Sequence, residues 1–586
     1  MTRNNFFLNV FSRNSRNLLR RSKKSPKSFN VRTLASQNDA NSNIMHSESS
    51  DVDIPNVTIP EFILPSLERF EKYVASECAT TGRTYTFGQI RGKSKNLNKA
   101  LRHAFKLQKG DVVGILLPNC PEFGIAVLGV LEAGLTITTM NPIYTPVEIS
   151  KQLLDSNTKV LITQAQAIST AKAALQLAKK DIPIVAIKRY QNDSLPSGVV
   201  DFEELVNNEV SIPDVPYVNS NDIAVLPYSS GTTGLPKGVE LTHYSIISNI
   251  SQISHEDFNF YDITTDNYQD VSVTVLPYFH IYGFALNLLN MMHKGCKTVT
   301  LEKFSPEIYV SVLKKHRPSL LYVAPPLVLF LISHSGVKSE YFDRLKMLMS
   351  AAAPLGLTDE ERFIRKVRKE INMCQGYGLT EASPVITMIP NKTKRSEKNS
   401  GGVGKVLPNT LVKFINPEDP SGTPIAAYEK GELLMKGPQV MKGYHNREEE
   451  TKKAFLDGWL RTGDIGYYND ENVVFITDRI KELIKVKGYQ VAPAELEAII
   501  RDHPLVDDAA VIGIPHPQHG EVPRAYVVPK KNSALDEENV QNHVADKVAS
   551  YKRLQGGVRI LESIPKNTTG KILRRQLKEN FAEKGF

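Results

Sequence analysis

Between Ile59 and about Thr477 the chain alternates helical segments with short apolar runs, and no other feature restricts its fold as much. Ile90–Lys106 puts Leu97, Leu101 and Ala104 on one helical face, whereas Val112–Leu117 and Lys159–Ile162, apolar after Lys159, read as buried strands. Strands apolar on both faces belong to parallel sheets covered by helices. The alternation breaks at the charged segment Asp478–Glu482. Beyond it, short runs at Ala509–Ile514 and Ala525–Pro529 alternate with helical stretches, which predicts a smaller α+β unit. No internal repeat is evident.

With 586 residues, 41% hydrophobic and 23% charged, the chain can bury a large core in two or more domains. Its formal charge of +9 would suggest a polyanionic partner if it were spread over the body. Nine basic residues (Arg3, Arg13, Arg16, Arg20, Arg21, Lys23, Lys24, Lys27, Arg32) precede the first acid, Asp39, and they equal the whole net charge. The body is therefore neutral, and no nucleic-acid partner is expected. In this leader Phe7, Phe11 and Leu18 share one helical side and Arg13, Arg16 and Arg20 the other, the profile of a mitochondrial presequence over residues 1–34. A disordered basic tail is the plainer alternative. Residues 35–58 are polar and read as linker. The terminal Lys584-Gly585-Phe586 is not a peroxisomal address.

Cys78, Cys120, Cys296 and Cys374 are scattered without metal or disulfide spacing. The longest apolar stretch, Val112 to Ile137, is broken by Pro118, Asn119, Pro121 and Glu122, so no transmembrane helix is expected. Oligomeric state is not readable from the chain.

The chemistry is concentrated in separated polar segments. Tyr228–Val239 strings together Ser229, Ser230, Gly231, Thr232, Thr233 and Lys237, the hydroxyls, backbone freedom and cation that a triphosphate demands. It lacks the Walker spacing, and alone it could be a surface turn. Gln375-Gly376-Tyr377-Gly378-Leu379-Thr380-Glu381 offers an aromatic face, close backbone approach, a hydroxyl and a carboxylate suited to Mg²⁺. Asp464 has two acceptor oxygens for the vicinal hydroxyls of a ribose. Lys571 stands in Pro565–Lys571, beside Gly570.

In this order the segments resemble the adenylate-forming superfamily of acyl-CoA synthetases, luciferases and peptide-synthetase adenylation domains, nearest to 4-coumarate:CoA ligases and medium-chain acyl-CoA synthetases. The resemblance runs from Ile59 to Leu577. It implies an α/β fold: a large N-terminal adenylation domain (59–478) of two β-sheet/helix subdomains plus a smaller sheet, a hinge (479–481), and a small mobile α+β C-terminal lid (482–586). It also implies that a carboxylate attacks the α-phosphorus of ATP, and that coenzyme A then displaces AMP from the acyl-adenylate. ATP, Mg²⁺ and coenzyme A are thus the expected co-substrates, with no tightly bound organic cofactor.

By the same resemblance Lys571 would bridge acyl carboxylate and α-phosphate. Ser229, Ser230, Gly231, Thr232, Thr233 and Lys237 would hold the triphosphate, Ala353, Gln375, Gly376 and Tyr377 the adenine, Thr380 and Glu381 the phosphates and metal, and Asp464 and Arg479 the ribose. Lys481 would serve hinge and nucleotide, and Lys485 the adenylate in a second orientation of the lid. Lys303, Lys487 and Gly488 would meet coenzyme A. His280, Tyr282, Gly283, Pro384 and Val385 would line the acyl site, where His280 gates or orients rather than transferring a proton. Its plainer alternative is a packed core histidine. Ala351 stands where many relatives carry Gly, and its methyl could shorten the acyl pocket. A different acyl acceptor, such as carrier-protein pantetheine or a luciferase-like oxidation, and an inactive nucleotide-binding paralogue remain as alternatives.

Overall fold

The alternating region folds into two large sheets with helices packed between and around them. The computed structural model describes residues 43–190, 192–211, 217–229, 236–353, 355–393, 399–480, 482–486, 489–548, 550–567 and 570–584. The leader 1–34 lies outside these residues, as do Ser230, Gly231, Thr232, Thr233, Lys481, Lys487 and Gly488.

Among the described residues there are four sheets. In the first, Ile223–Val225, Thr136–Thr139, Val112–Leu116, Val160–Gln164, Ile184–Ile187 and Val199–Asp201 run parallel. At one end the hairpin Tyr228–Ser229 and Lys237–Thr242 is added antiparallel, and Gly443–Tyr444 pairs with Lys237–Thr242. The second sheet has a parallel centre of Asn372–Gly378, Met347–Ser350, Leu320–Val323, Val271–Thr274, Lys297–Thr300 and Val74–Cys78. A third, antiparallel sheet contains Leu411–Ile415, Gly431–Lys436, Trp459–Tyr468 and Val474–Arg479. The fourth belongs to the C-terminal unit, where the hairpin Val506–His516 and Gly520–Pro529 is flanked by Ile484–Val486 and Val558–Ile560.

The main core is apolar packing of helices on the first sheet. Leu97 and Leu101 of helix Phe87–Ala104 meet Phe123, Val127 and Val130 of helix Glu122–Glu132, all fully buried. Gly129 is required at this crossing, since a Cβ there would lie 2.8 Å from the Leu97 side chain. The first of these helices starts at Phe87, before the expected Ile90, because Thr86 and Gln89 form a capping box. The C-terminal hairpin strands are also longer than the apolar runs predicted. Backbone pairing continues through His516 and Gly520, beyond the hydrophobic residues.

Residues 35–58, read as linker, are in their described part (43–58) bound along the body. Met45–His46 pairs with Leu411–Val412 as an edge strand of the third sheet. Val52 N–H donates to Asn409 Oδ1 at 3.0 Å, Asn409 N–H donates to Asp51 at 2.9 Å, and Thr58 caps helix Ile59–Arg69. The polar side chains that made the segment look like linker are the groups that fasten it.

Candidate active site

The two large sheets bring their loops together at one end, and the third sheet and the C-terminal unit close around them. Asn119 joins the two halves. Its amide donates to the carbonyls of Thr274 and Leu276 at 3.1 and 2.8 Å and accepts from Tyr278 N–H at 2.7 Å. Thr139 Oγ1 donates to the Phe279 carbonyl at 2.8 Å, so His280 leaves a backbone fixed from both sides. Gly283 follows in a π-helix, Gly283–Asn290. A Cβ on Gly283 would sit 2.2 Å from the Pro277 carbonyl oxygen, so only glycine fits.

Ser229 ends the first strand of the edge hairpin, and its hydroxyl donates to Glu381 Oε1 at 3.2 Å. Glu381 lies in a single turn after strand Asn372–Gly378, buried, with its carbonyl accepting from Met441 N–H at 2.8 Å. The Tyr444 hydroxyl donates to the same carboxylate oxygen at 3.0 Å, and Lys237 Nζ lies 5.0 Å from the centroid of the Tyr444 ring. Tyr228 is anchored below, donating to Asp155 at 2.7 Å, while Arg447 pairs with the other Asp155 oxygen at 2.7 Å.

Asp464 and Arg479 face each other across the third sheet. Arg479 Nε is 2.9 Å from Asp464 Oδ1, and the Tyr377 hydroxyl donates to Oδ2 at 2.6 Å. Asp464 is 3% exposed. Burial lifts its carboxyl, and the Arg479 cation and Tyr377 hydroxyl oppose that lift.

Lys571 enters from the C-terminal unit. Its N–H donates to Asn567 Oδ1 at 2.8 Å, and Gly570, at φ +83°, packs so close to Pro326 that a Cβ would be 2.7 Å from that ring. Arg574, three residues on, is held by Glu482 at 2.9 Å and Glu497 at 2.6 Å. Burial, then the Arg479 cation, lowers the Lys571 ammonium to about 8, against the opposing charges of Glu482 and Asp464. Burial, then the Lys571 charge, lowers His280 to about 4, so its imidazole is neutral at physiological pH. A neutral ring beside a cationic lysine suits orientation rather than proton donation.

Tyr282 is buried edge-on to Tyr322, ring centroids 6.4 Å apart, and Val385, Met349 and Ala324 complete one apolar cluster against which Ala351 packs. Pro384 is buried beside Val385, and Ala353 and Thr380 are half-buried. Gly376 runs close to Met349, whose Cε would be 2.4 Å from an added Cβ. Gln375, expected at the adenine wall, is buried with its side chain turned toward Leu355 and Glu360. Its amide accepts from Leu355 N–H at 3.3 Å and donates to the Leu355 carbonyl at 3.2 Å and to Glu360.

Ser229, Lys237, Tyr377, Glu381, Asp464, Arg479, Lys571 and His280 are thus linked by direct contact or by charge. Lys303 and Lys485 are both exposed and share no hydrogen bond or ion pair with that group; the Lys485 N–H donates to Glu521 at 3.0 Å. Sequence reasoning missed Tyr444, Asp155, Asn119 and Pro326. Their only local signal is an aromatic after Gly443, too common to single out.

The model of the AMP-binding enzyme family matches residues 66–445, and that of the AMP-binding enzyme C-terminal domain matches 495–571. The chain is 38% identical over 546 residues to a 4-coumarate–CoA ligase 3 of Oryza sativa subsp. japonica, covering 92% of this chain and 95% of the relative. It is 37% identical to a 4-coumarate–CoA ligase 1 of Solanum tuberosum over 92% of this chain and 97% of the relative. Among solved structures it is similar to the o-succinylbenzoate CoA synthetase of Bacillus subtilis in complex with its acyl-adenylate intermediate. The TM-score there is 0.74 at 26% identity, covering 90% of this chain and 99% of that one.

Proposed function

The chain belongs to the AMP-binding enzyme family, and from that premise we propose that it is an ATP-dependent, AMP-forming acid–coenzyme A ligase acting on an aryl or medium-chain carboxylic acid. A carboxylate oxygen attacks the α-phosphorus of ATP, the bond to the β-phosphate bridge breaks, and pyrophosphate leaves with the electron pair. The thiol of coenzyme A then attacks the acyl carbon of the adenylate and AMP departs.

The first step brings an anion toward a polyanion, so charge and positioning matter more than proton transfer. The observation that carries this reading is Lys571, brought by the C-terminal unit beside His280, Asp464 and Arg479. Lys571 bridges the acyl carboxylate and the α-phosphate, Lys237 and Ser229 take the outer phosphates, and Asp464 with Arg479 takes the ribose. Tyr282, Tyr322, Met349 and Val385 form the apolar cluster that would face the acyl group. Mg²⁺ would supply charge neutralisation on the phosphates. Glu381 fits as one carboxylate ligand. For thioester formation the C-terminal unit turns about residues 479–481, replacing Lys571 with the segment Lys485–Gln490.

The test is pyrophosphate release with a panel of acids, 4-coumarate first because the relatives are named for it, then benzoates and medium-chain fatty acids. Each is run with and without coenzyme A. Acyl-CoA should form with at least one acid. Pyrophosphate release without any thioester would indicate another acceptor, and no release with any acid would favour an inactive paralogue.

The Lys571 ammonium also sets a pH limit. It carries its charge below about 8 and loses it above. The kcat/KM for pyrophosphate release, which reports the free enzyme, should therefore fall about tenfold per pH unit beyond that point. Lys571→Arg should move this limb upward, because a guanidinium stays charged. A profile flat to pH 10 would remove Lys571 from the first step.

The acid-free amphipathic leader supports a mitochondrial location after loss of about 34 residues. N-terminal sequencing of the protein from its tissue should find a start near Ala35; a start near Met1 would contradict it.

A further inference from the structure

We propose that Tyr444 is a positioning residue of the nucleotide site, holding Glu381 and Lys237 apart and aimed so that one is free for a divalent cation and the other for phosphate. The inference rests on the reading of this cleft as a site for ATP. Glu381 and Lys237 carry opposite charges and flank one aromatic ring, yet no ion pair joins them. The Tyr444 hydroxyl donates to Glu381 at 3.0 Å, and Lys237 Nζ stands 5.0 Å from the ring centroid, within cation–π range. The ring therefore satisfies each charge in a different way. A hydrogen bond orients the carboxylate, and a soft, displaceable contact holds the ammonium.

The placement is rigid. Gly443–Tyr444 is a two-residue strand paired with Val239 and Glu240, which follow Lys237 on the same strand. On either side Lys442 N–H donates to the Glu240 carbonyl at 2.9 Å and His445 N–H to the Gly238 carbonyl at 2.8 Å. The Tyr444 N–H itself donates to Thr451 Oγ1 at 2.9 Å. A Cβ on Gly443 would be 2.9 Å from the Thr451 side chain, and one on Gly238 would be 3.2 Å from Tyr228 and His445. Ser229, at the end of strand Tyr228–Ser229, donates to the same carboxylate oxygen at 3.2 Å.

The two halves of the role separate by substitution. Tyr444→Phe keeps the ring under Lys237 and removes the donor to Glu381. Tyr444→Leu removes both and lets Lys237 and Glu381 approach each other. Equilibrium binding of ATP is measured by calorimetry for the folded full chain across a Mg²⁺ series and in chelator. The Phe variant should need about tenfold more Mg²⁺ for half-maximal enhancement of binding, the worth of one hydrogen bond to a charged group, with chelator-measured ATP affinity unchanged. The Leu variant should show that shift and in addition weaken ATP binding in chelator about tenfold. A Phe variant with the wild-type Mg²⁺ midpoint, or a Leu variant that loses nothing in chelator, would overturn the role of Tyr444. Failure of the wild-type protein to bind ATP at all would instead overturn the reading of the site. Ligand-free unfolding of both variants, expected to stay cooperative, separates these results from loss of fold.

Discussion

Lys571→Ala is expected to lower acid-dependent pyrophosphate release by about a thousandfold, while coenzyme A still captures acyl groups from supplied acyl-adenylate at a comparable rate. The reason is electrostatic. Charge accumulates between carboxylate and α-phosphate as pyrophosphate departs, in a cleft where Lys571 is the cation brought from the C-terminal unit. A preorganised charge or donor at such a position is worth about 10²–10³ in rate, and a full ammonium stands at the upper end. The thioester step asks nothing of that charge if the unit has turned. Loss of both half-reactions to the same degree would mean that Lys571 maintains the fold rather than the first transition state. Single-turnover measurement of each half-reaction in one preparation distinguishes these outcomes.

Asp464→Ala should combine a stability loss with a binding loss. It leaves the half-buried Arg479 guanidinium without its 2.9 Å partner and the Tyr377 hydroxyl without its acceptor. Because the Arg479 side chain is 33% exposed, water solvates part of the surviving charge, and the loss should be about 1–3 kcal/mol, below the cost of breaking a fully buried pair. AMP binding should weaken by about 10²-fold or more, since hydrogen bonds to a charged group contribute about 1.5–3 kcal/mol each and the ribose loses its acceptor. The double variant Asp464→Leu with Arg479→Met should recover much of the stability by removing both charges, yet none of the AMP affinity. Denaturant unfolding and AMP titration read the two effects separately. Recovery of AMP binding in the double variant would contradict the assignment of Asp464 to the nucleotide.

Much of the architecture was legible because burial on both faces leaves an unbroken apolar run. Val112–Leu116 and Val160–Gln164 are central parallel strands close to where the runs placed them. Charged residues in short motifs were legible for the opposite reason: Lys237, Glu381, Asp464 and Lys571 stand out against apolar or glycine-rich surroundings. What escaped reading depends on contacts remote in sequence. Tyr444 acts on Glu381 from 63 residues away, and Asn119 holds Tyr278 from 159. Gln375 lies within a motif, but its amide turns to Leu355 and Glu360, a choice of side-chain direction that spacing does not encode. The strap 43–58 misled because polar composition marks both free linkers and segments fastened by side-chain hydrogen bonds.

The central claim, that this cleft joins a carboxylate to the α-phosphorus of ATP, is tested most directly by following an isotopic label. An acid accepted by the protein is prepared with heavy oxygen in its carboxylate and turned over with ATP and coenzyme A. The nucleotide and phosphate products are then separated for mass spectrometry. The account predicts that one labelled oxygen per turnover appears in AMP and none in pyrophosphate. Label in inorganic phosphate with ADP as the nucleotide product, or AMP formed without label, would contradict it.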